Sequence, residues 1–169
     1  AGISGWCGGA TRCRMDARAK GADMSLTIRP IETGDKPAWL PLWRSYLDFY
    51  ETILPDAVYD VTLARLTSPD HPDQAGLLAV EDGRAVGLVH TITHAHNWRV
   101  ENVTYLQDLY TAPEARGRGV GRALIEAVYA RADAEGCPSV YWLTQDFNTQ
   151  ARQLYDRIGT LTPFIKYTR

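Results

Sequence analysis

The amino-acid sequence predicts one α/β domain (α and β segments mixed along the chain) built on a mixed sheet. Two strand-like segments flank the dipeptide Asp82-Gly83, which is typical of a two-residue hairpin turn. Further on, strand-like residues 103–111 and 139–146 enclose a helical segment, and such a βαβ connection makes the two strands parallel. A sheet that contains both a hairpin and a crossover has antiparallel and parallel neighbours.

The first patterned residues predict one strand and two helices. Residues 25–30 alternate between apolar and polar side chains, as a half-buried strand does. Residues 34–50 place tryptophan, tyrosine and leucine at helical spacing, although Pro41 is expected to bend or delay this helix. Residues 56–66 form the second predicted helix, with Asp56 as its N-cap.

The rest of the chain carries the same kinds of signal. In order, they predict a hairpin over 77–95, a strand over 103–111, a helix over 119–135 with Gly136 as C-cap, a strand over 139–146, a helix over 149–158 closed by Gly159, and a last strand over 163–168.

Composition limits the classes of partner. The 169 residues are 45% apolar and 22% charged, with a formal net charge of −2, so neither nucleic acid nor a membrane is an expected partner. Three cysteines do not form a disulfide framework, and we expect a reduced, cytoplasmic location. Residues 24–169 form the predicted domain. Residues 1–23 are expected to be a disordered extension, native or introduced by cloning, with a targeting peptide as the alternative.

A glycine- and arginine-rich stretch, RGRGVGRALIEAV, stands between strand 103–111 and the following helix. The N-terminus of a helix presents unpaired N–H groups and partial positive charge, so it attracts anions. Glycine lets a phosphate approach the backbone closely, and arginine adds charge and forked donors. The stretch therefore predicts a phosphate cradle. A structural glycine turn with solvated arginines is the alternative.

The spacing of the glycines argues against two common nucleotide sites. The GxxxxGK[ST] pattern of nucleoside triphosphate loops is absent. Gly117, Gly119 and Gly121 form GxGxG, and Arg122 stands where the dinucleotide pattern GxGxxG requires its last glycine. The cradle is thus expected to hold another phosphorylated ligand.

Two motifs resemble the GNAT acetyltransferases. LYTAPEARGRGVGRALIEAV is similar to the acetyl-CoA-binding motif of that family, with Arg116, Gly119 and Gly121 at its fixed positions. QDFNTQARQLYDRIG resembles the downstream signature N-x-x-A-x-x-L-Y-x-x-x-G, in which Tyr155 is the tyrosine. The resemblance covers residues 26–169. The segments SYLDFYETILP and LYDRIGTLTPFIKYTR more weakly resemble the subgroup that includes fungal histone and polyamine acetyltransferases.

The resemblance implies the GNAT acyl-CoA N-acyltransferase fold. That fold is a splayed mixed sheet, here of about six to seven strands with about four helices, and the cofactor lies between the fourth and fifth strands. Acetyl-CoA is the implied cosubstrate, and no metal is implied. The pantetheine arm would pair with strand 103–111 and the pyrophosphate with amides of 116–122. The residues implied to bind the cofactor are Leu109, Tyr110, Thr111, Arg116, Gly117, Arg118, Gly119, Val120, Gly121, Arg122, Asn148 and Tyr155.

Acetyl transfer to an amine requires a base, a donor for the developing oxyanion and an acid for the leaving thiolate. By resemblance, Tyr155 is the candidate acid, with simple helix packing as the alternative. A backbone N–H near Leu109 is the candidate oxyanion donor. Asp108 is the candidate base, but it and Gln107 face opposite sides of a regular strand, and a bulge would change which one faces the cleft. A chain of waters, or a structural role for Asp108, remains open.

The acceptor amine is expected to bind near the first helix. Tyr46, Tyr50 and Glu51 are the candidate substrate residues, because aromatic rings and a carboxylate attract an ammonium group. Packing in the core is the alternative reading of the tyrosines, as it is of Trp39 and Trp43.

Three histidines, His90, His94 and His96, lie at even spacing and would share one face of a strand. No cysteine or carboxylate is spaced with them as a further ligand, so a polar sheet face or a wall of the substrate site is favoured over a metal site.

The sequence therefore predicts an acetyl-CoA-dependent N-acetyltransferase whose acceptor is a small-molecule amine or a basic peptide. A homodimer formed through the terminal strand is compatible with the subgroup resemblance. The alternative function is that of a CoA-binding regulatory module without catalytic activity.

Overall fold

The computed structural model describes residues 25–169, so the predicted N-terminal extension lies outside the described residues. No helix in the described part of the chain is long and apolar enough to span a bilayer. The elements are β1 (Leu26–Pro30), α1 (Lys36–Phe49), α2 (Asp56–Thr67), β2 (Gln74–Glu81), β3 (Arg84–His94), β4 (Val103–Thr111), α3 (Val120–Ala134), β5 (Ser139–Trp142) and α4 (Thr149–Ile158).

The five strands form one mixed sheet in the order β1-β2-β3-β4-β5. The first three pairings are antiparallel, and β4 pairs with β5 in parallel through the α3 crossover. Asp82 and Gly83 both have positive φ, 48° and 78°, as the two central residues of a type I′ hairpin turn require. The predicted hairpin and the predicted crossover are both confirmed.

Helices cover both faces of the sheet. On one face, α1 and α2 pack over the strands, and Trp39 lies in a cluster with Leu78 and Leu88. On the other face, α3 and part of α4 pack over the strands, and Leu124 lies in a second cluster with Val89. Because β2 and β3 are buried on both faces, they appear in the sequence as nearly continuous apolar segments.

The predicted number of strands was too high. Residues 163–168 form no strand, and β5 ends at Trp142 rather than at residue 146. A strand is stable only where its backbone meets a partner edge, and no described strand lies beside the terminal segment. Phe164 and Ile165 are instead exposed. Alternation of apolar side chains alone gave a misleading signal here.

The structure corrects two predictions for the first helices. Pro41 lies inside α1, which begins at Lys36, so the proline does not delay the helix. The buried side chains Trp39 and Trp43 hold this helix against the sheet, and their packing outweighs the hydrogen bond that Pro41 cannot make. Pro55, not Asp56, occupies the N-cap position of α2.

Candidate active site

A cleft opens where β4 and β5 stop pairing. The two strands pair only between Val103–Leu106 and Ser139–Trp142, whereas β4 continues to Thr111. Beyond Leu106, the β4 backbone has no described strand on that side. A cleft of about 530 Å³ occupies this place, between the end of β4, the glycine-rich loop, α4 and the end of α1.

The glycine-rich loop presents bare backbone to the cleft. Gly117 and Gly119 have φ of 75° and 86°, the left-handed conformation that side chains disfavour, and no atom lies within 4 Å of the position a Cβ would take. Gly119 is the N-cap of α3, and no described side chain caps this end of the helix. The first N–H groups of a 15-residue helix are therefore available to an anion.

The three arginines of the loop point in different directions. Arg116 and Arg122 line the cleft. Arg118 does not, because its guanidinium donates to the buried carboxylate of Glu81 at 2.7 Å. Arg118 thus links the loop to the end of β2, and it is the one predicted cofactor residue that does not line the cleft.

The cleft brings together nearly all the residues predicted to bind the cofactor. Those that line it are Leu109, Tyr110, Thr111, Arg116, Gly117, Gly119, Val120, Gly121, Arg122, Asn148 and Tyr155. Sequence reasoning missed Gln150, Gln153 and Arg157, which line the same cleft from α4. Their spacing of three and four residues places them on one helix face, and that periodicity was the available signal.

Asn148 begins α4 at the rim of the cleft. Its Oδ1 accepts a hydrogen bond from the Ala151 backbone N–H at 3.4 Å, as an N-cap does, and its Nδ2 donates to the Thr144 hydroxyl at 3.3 Å. Asn148 therefore fixes the start of the helix that carries Tyr155.

Tyr155 lies on α4 with its ring 5.5 Å from that of Trp142, and it lines the cleft. Burial, with a further contribution from the nearby Tyr50, raises the pKa of Tyr155 to about 12. Its hydroxyl thus keeps its proton at physiological pH and is able to donate it.

A bulge in β4 decides which way Asp108 faces. His90 pairs with Asp108 and Thr91 with Leu106, so Gln107 is an extra residue without a partner on β3. Leu106 packs on the α3 face, and without the bulge Asp108 would face the same way. With it, Asp108 faces α1, and Gln107 is exposed.

Asp108 is buried in a network with two tryptophans and a histidine. Its Oδ2 lies 2.8 Å from His90 Nδ1 and accepts a hydrogen bond from Trp43 Nε1 at 3.2 Å. The other ring nitrogen of His90, Nε2, accepts from Trp39 Nε1 at 2.8 Å. No sequence signal joins these residues, because the histidine lies 51 positions from Trp39.

Tyr46 connects this network to the cleft. It lines the cleft beside Tyr50, whose ring lies 5.0 Å away, edge to face. Burial first, and then the nearby charge of Asp108, raise the pKa of Tyr46 above its usual range. Asp108 itself does not line the cleft. Glu51, the third predicted substrate residue, lies in the turn after α1 with φ of 50°, and it is exposed and outside the lining.

The predicted histidine face is confirmed only in part. His90 and His94 lie on β3, but His96 lies beyond its end. His94 Nε2 is 3.0 Å from the hydroxyl of Tyr141, whose ring stacks on Tyr105 at 5.0 Å. Within residues 25–169, no three His, Cys, Asp or Glu side chains converge as a metal site would require.

Residues 39–160, more than half of the chain, match the Acetyltransferase (GNAT) family. The chain belongs to the GNAT acetyltransferases. This GNAT enzyme is therefore an acyltransferase, as the motifs in β4, the glycine-rich loop and α4 predicted.

Relatives of this GNAT chain cover most of its length. It is 41% identical over 146 residues to the D-amino-acid N-acetyltransferase HPA3 of Saccharomyces cerevisiae, covering 85% of this chain and 90% of the relative. It is 30% identical over 144 residues to the aminoglycoside N(6')-acetyltransferase type 1 of Klebsiella aerogenes, covering 81% and 90%. Among solved structures, the aminoglycoside N-acetyltransferase AAC(6')-Iy in complex with CoA has the same fold, with a TM-score of 0.76, 21% identity, and coverage of 89% and 97%.

Proposed function

We propose that this GNAT protein transfers the acetyl group of acetyl-CoA directly to a primary amine of a small molecule or basic peptide. The observation that carries the proposal is the cleft in which the glycine-rich loop, the open edge of β4 and Tyr155 meet. When bound, acetyl-CoA supplies an acyl group activated as a thioester.

The residues of the cleft fit such a donor. The amides of the loop 117–121 and the N-terminus of α3 bind the pyrophosphate, and Arg116 and Arg122 add positive charge. The unpaired backbone of β4 beyond Leu106 hydrogen-bonds the amide groups of the pantetheine arm, as an added strand would. A backbone N–H near Leu109 stabilises the oxyanion that develops on the acetyl carbonyl.

Tyr155 donates the proton that the leaving thiolate takes up. Tyr155 lines the cleft, and the raised pKa of its hydroxyl keeps that group protonated. The attacking amine must also lose a proton, and a second tyrosine of the cleft takes it up. Tyr46 accepts it while giving its own proton to Asp108, because Tyr46 lines the cleft and Asp108 lies behind it.

The acceptor is an amine that binds between tyrosines. Tyr46 and Tyr50 offer ring faces and edges at the end of the cleft, and Asp108 supplies the nearby negative charge. D-amino acids are the first acceptors to test, because HPA3 carries that activity in its name and shares 41% identity with this chain.

Four exposed apolar side chains support a homodimer. Leu161, Phe164, Ile165 and Tyr167 are each at least 75% exposed in the segment that follows α4. A monomer seldom exposes so many large apolar groups together, and a second copy of the chain would bury them.

Thermal unfolding with CoA, acetyl-CoA, ATP or NADH tests the donor. A ligand that binds only the folded state raises the unfolding temperature by mass action. We expect a rise with both CoA species and little change with ATP or NADH. A rise with NADH or ATP alone would contradict the assignment of the cleft.

A panel of amines tests the acceptor. The release of thiol from acetyl-CoA is measured with matched D- and L-amino acids, a polyamine, an aminoglycoside and a lysine peptide. We expect amine-dependent release with at least one primary amine. Binding of CoA with no release for any amine would instead favour a CoA-binding module without activity.

A further inference from the structure

We infer that His90 is a positioning residue that holds the ionised carboxylate of Asp108 beneath Tyr46 and remains uncharged while it does so. The inference rests on the proposed role of Asp108 as the final acceptor of the proton from the amine. His90 touches neither the cleft nor the reacting atoms. It acts through Asp108, from the buried side of the network.

The partner of each ring nitrogen fixes the tautomer of His90. An indole N–H donates and never accepts, so the 2.8 Å contact with Trp39 requires His90 Nε2 to be the acceptor and to carry no proton. A neutral imidazole then has its proton on Nδ1. That atom lies 2.8 Å from Asp108 Oδ2, so Nδ1–H donates to the carboxylate.

The same geometry keeps the negative charge of Asp108 available. A protonated His90 would cancel that charge, but it would also lose the bond from Trp39 in a fully buried site. Among residues 25–169, His90 is the only basic side chain within 4 Å of Asp108. A neutral His90 therefore leaves one uncompensated carboxylate near the place where an ammonium group would bind.

Two donors on one oxygen also set the orientation of the carboxylate. Asp108 Oδ2 accepts from His90 and from Trp43, and these bonds leave Oδ1 for another donor. The other groups that adjoin Asp108 are two phenols, Tyr46 on α1 and Tyr105 on β4. Tyr141 on β5 stacks on the ring of Tyr105. Tyr46 is the one that both adjoins Asp108 and lines the cleft.

Two substitutions separate the two bonds of His90. In His90→Asn, the side-chain nitrogen stands near the place of Nδ1 and keeps a donor for Asp108, but Trp39 loses its acceptor. In His90→Gln, the amide reaches the place of Nε2 and keeps an acceptor for Trp39, but Asp108 loses its donor. A merely structural role makes the two variants similar, whereas a positioning role makes them differ.

The activity readout is the pH profile of kcat/KM for the amine that releases thiol fastest in the panel above. We expect His90→Gln to lower kcat/KM roughly 10- to 100-fold at neutral pH, since it removes a hydrogen bond to a charged group. We also expect the acidic limb of the kcat/KM profile of His90→Gln to move to higher pH than in the wild type, because a carboxylate with fewer hydrogen-bond donors holds its proton more readily. His90→Asn is expected to keep the wild-type profile within about threefold.

A spectroscopic readout does not depend on activity. In ¹⁵N-labelled wild-type protein, long-range ¹H–¹⁵N spectra of the imidazole report which ring nitrogen carries the proton. We expect the neutral Nδ1–H tautomer in the wild type at neutral pH. His90→Asn and His90→Gln are both expected to keep the rise in unfolding temperature with CoA, because His90 does not line the cleft that holds the phosphate cradle.

Three results would overturn the inference about His90. One is an Nε2–H or doubly protonated ring in the wild type at neutral pH. The second is an unchanged pH profile in His90→Gln, and the third is equal losses in the two variants. If no amine in the panel is acetylated, the proposed function fails, whereas the imidazole spectrum still decides the geometry assigned to His90.

Discussion

At the scale of single residues, Tyr155 combines the two properties that a general acid in this cleft needs. The residue lines the cleft, and burial together with Tyr50 raises its pKa to about 12. A raised pKa means that the hydroxyl keeps its proton below that value and loses it only above. Turnover should therefore show no alkaline loss caused by Tyr155 below about pH 11.

Tyr155→Phe removes this proton while it keeps the ring and its contact with Trp142. We expect kcat to fall roughly 100-fold, a typical contribution of general acid catalysis, with little change in CoA binding. Because the wild-type hydroxyl stays protonated, the fall should be the same from pH 7 to pH 10. Steady-state kinetics across that range is the measurement. Undiminished kcat would remove Tyr155 from the mechanism.

Gly119 of the loop leaves the backbone bare at the proposed phosphate site. Gly119→Asp places a carboxylate where the pyrophosphate is proposed to bind, and we expect CoA binding to weaken roughly 100-fold or more through charge repulsion. Gly136→Asp is the matched control. Gly136 also has positive φ, 70°, and open space around it, but it lies at the far end of α3, roughly 22 Å away.

Titration of both variants with CoA, followed by thermal unfolding, compares the two sites. If the two variants unfold at similarly lowered temperatures without ligand, the two substitutions cause similar backbone strain. The rise with CoA should vanish only in Gly119→Asp. A full rise in that variant would contradict the position of the phosphate cradle.

At the scale of elements, the cradle depends on the β2–β3 hairpin. The buried Glu81 at the end of β2 holds Arg118 of the loop at 2.7 Å. A second ion pair, between Arg84 and Glu114, joins β3 to the turn before the loop, but both of its side chains are largely exposed. The first pair is therefore expected to fix the loop, and the second to contribute little.

Glu81→Gln removes the charge of the Glu81–Arg118 ion pair, which joins the hairpin to the loop, and keeps the size of the side chain. We expect the Kd for CoA to rise roughly two- to tenfold, because a loosened loop must be ordered on binding. Glu114→Gln, in the exposed pair, should change it less than twofold. Calorimetric titration with CoA measures both values. Equal effects in the two variants would show that Glu81 does not organise the cradle.

At the scale of the whole molecule, the exposed segment after α4 predicts the assembly. We expect the wild-type protein to be a dimer by light scattering, and a chain truncated after Gly159 to be a monomer. The truncated chain should keep CoA binding, since none of the residues 160–169 lines the cleft. A monomeric wild type at all accessible concentrations would contradict the proposed dimer.

Local patterns predicted much of this molecule, and long-range contacts account for what they missed. The β4–loop–α3 unit is contiguous in sequence, so its turn chemistry and periodicity predicted the strand, the glycine-rich loop and the helix correctly. The orientation of Arg118 depends on Glu81, 37 positions away, and the environment of Asp108 depends on His90, 18 positions away. The bulge at Gln107 that turns Asp108 toward α1 appears only once β3 is paired with β4.

The most direct test of the central claim is the mass of the product. The full chain is incubated with acetyl-CoA and a matched pair of D- and L-amino acids. The mass of each amino acid after the reaction is measured by mass spectrometry, and the released thiol is quantified in the same sample. Acetyl transfer predicts one acetylated amine for each thiol released, at a rate lowered in Tyr155→Phe. Thiol release without an acetylated amine, or no release despite bound acetyl-CoA across the whole amine panel, would contradict it.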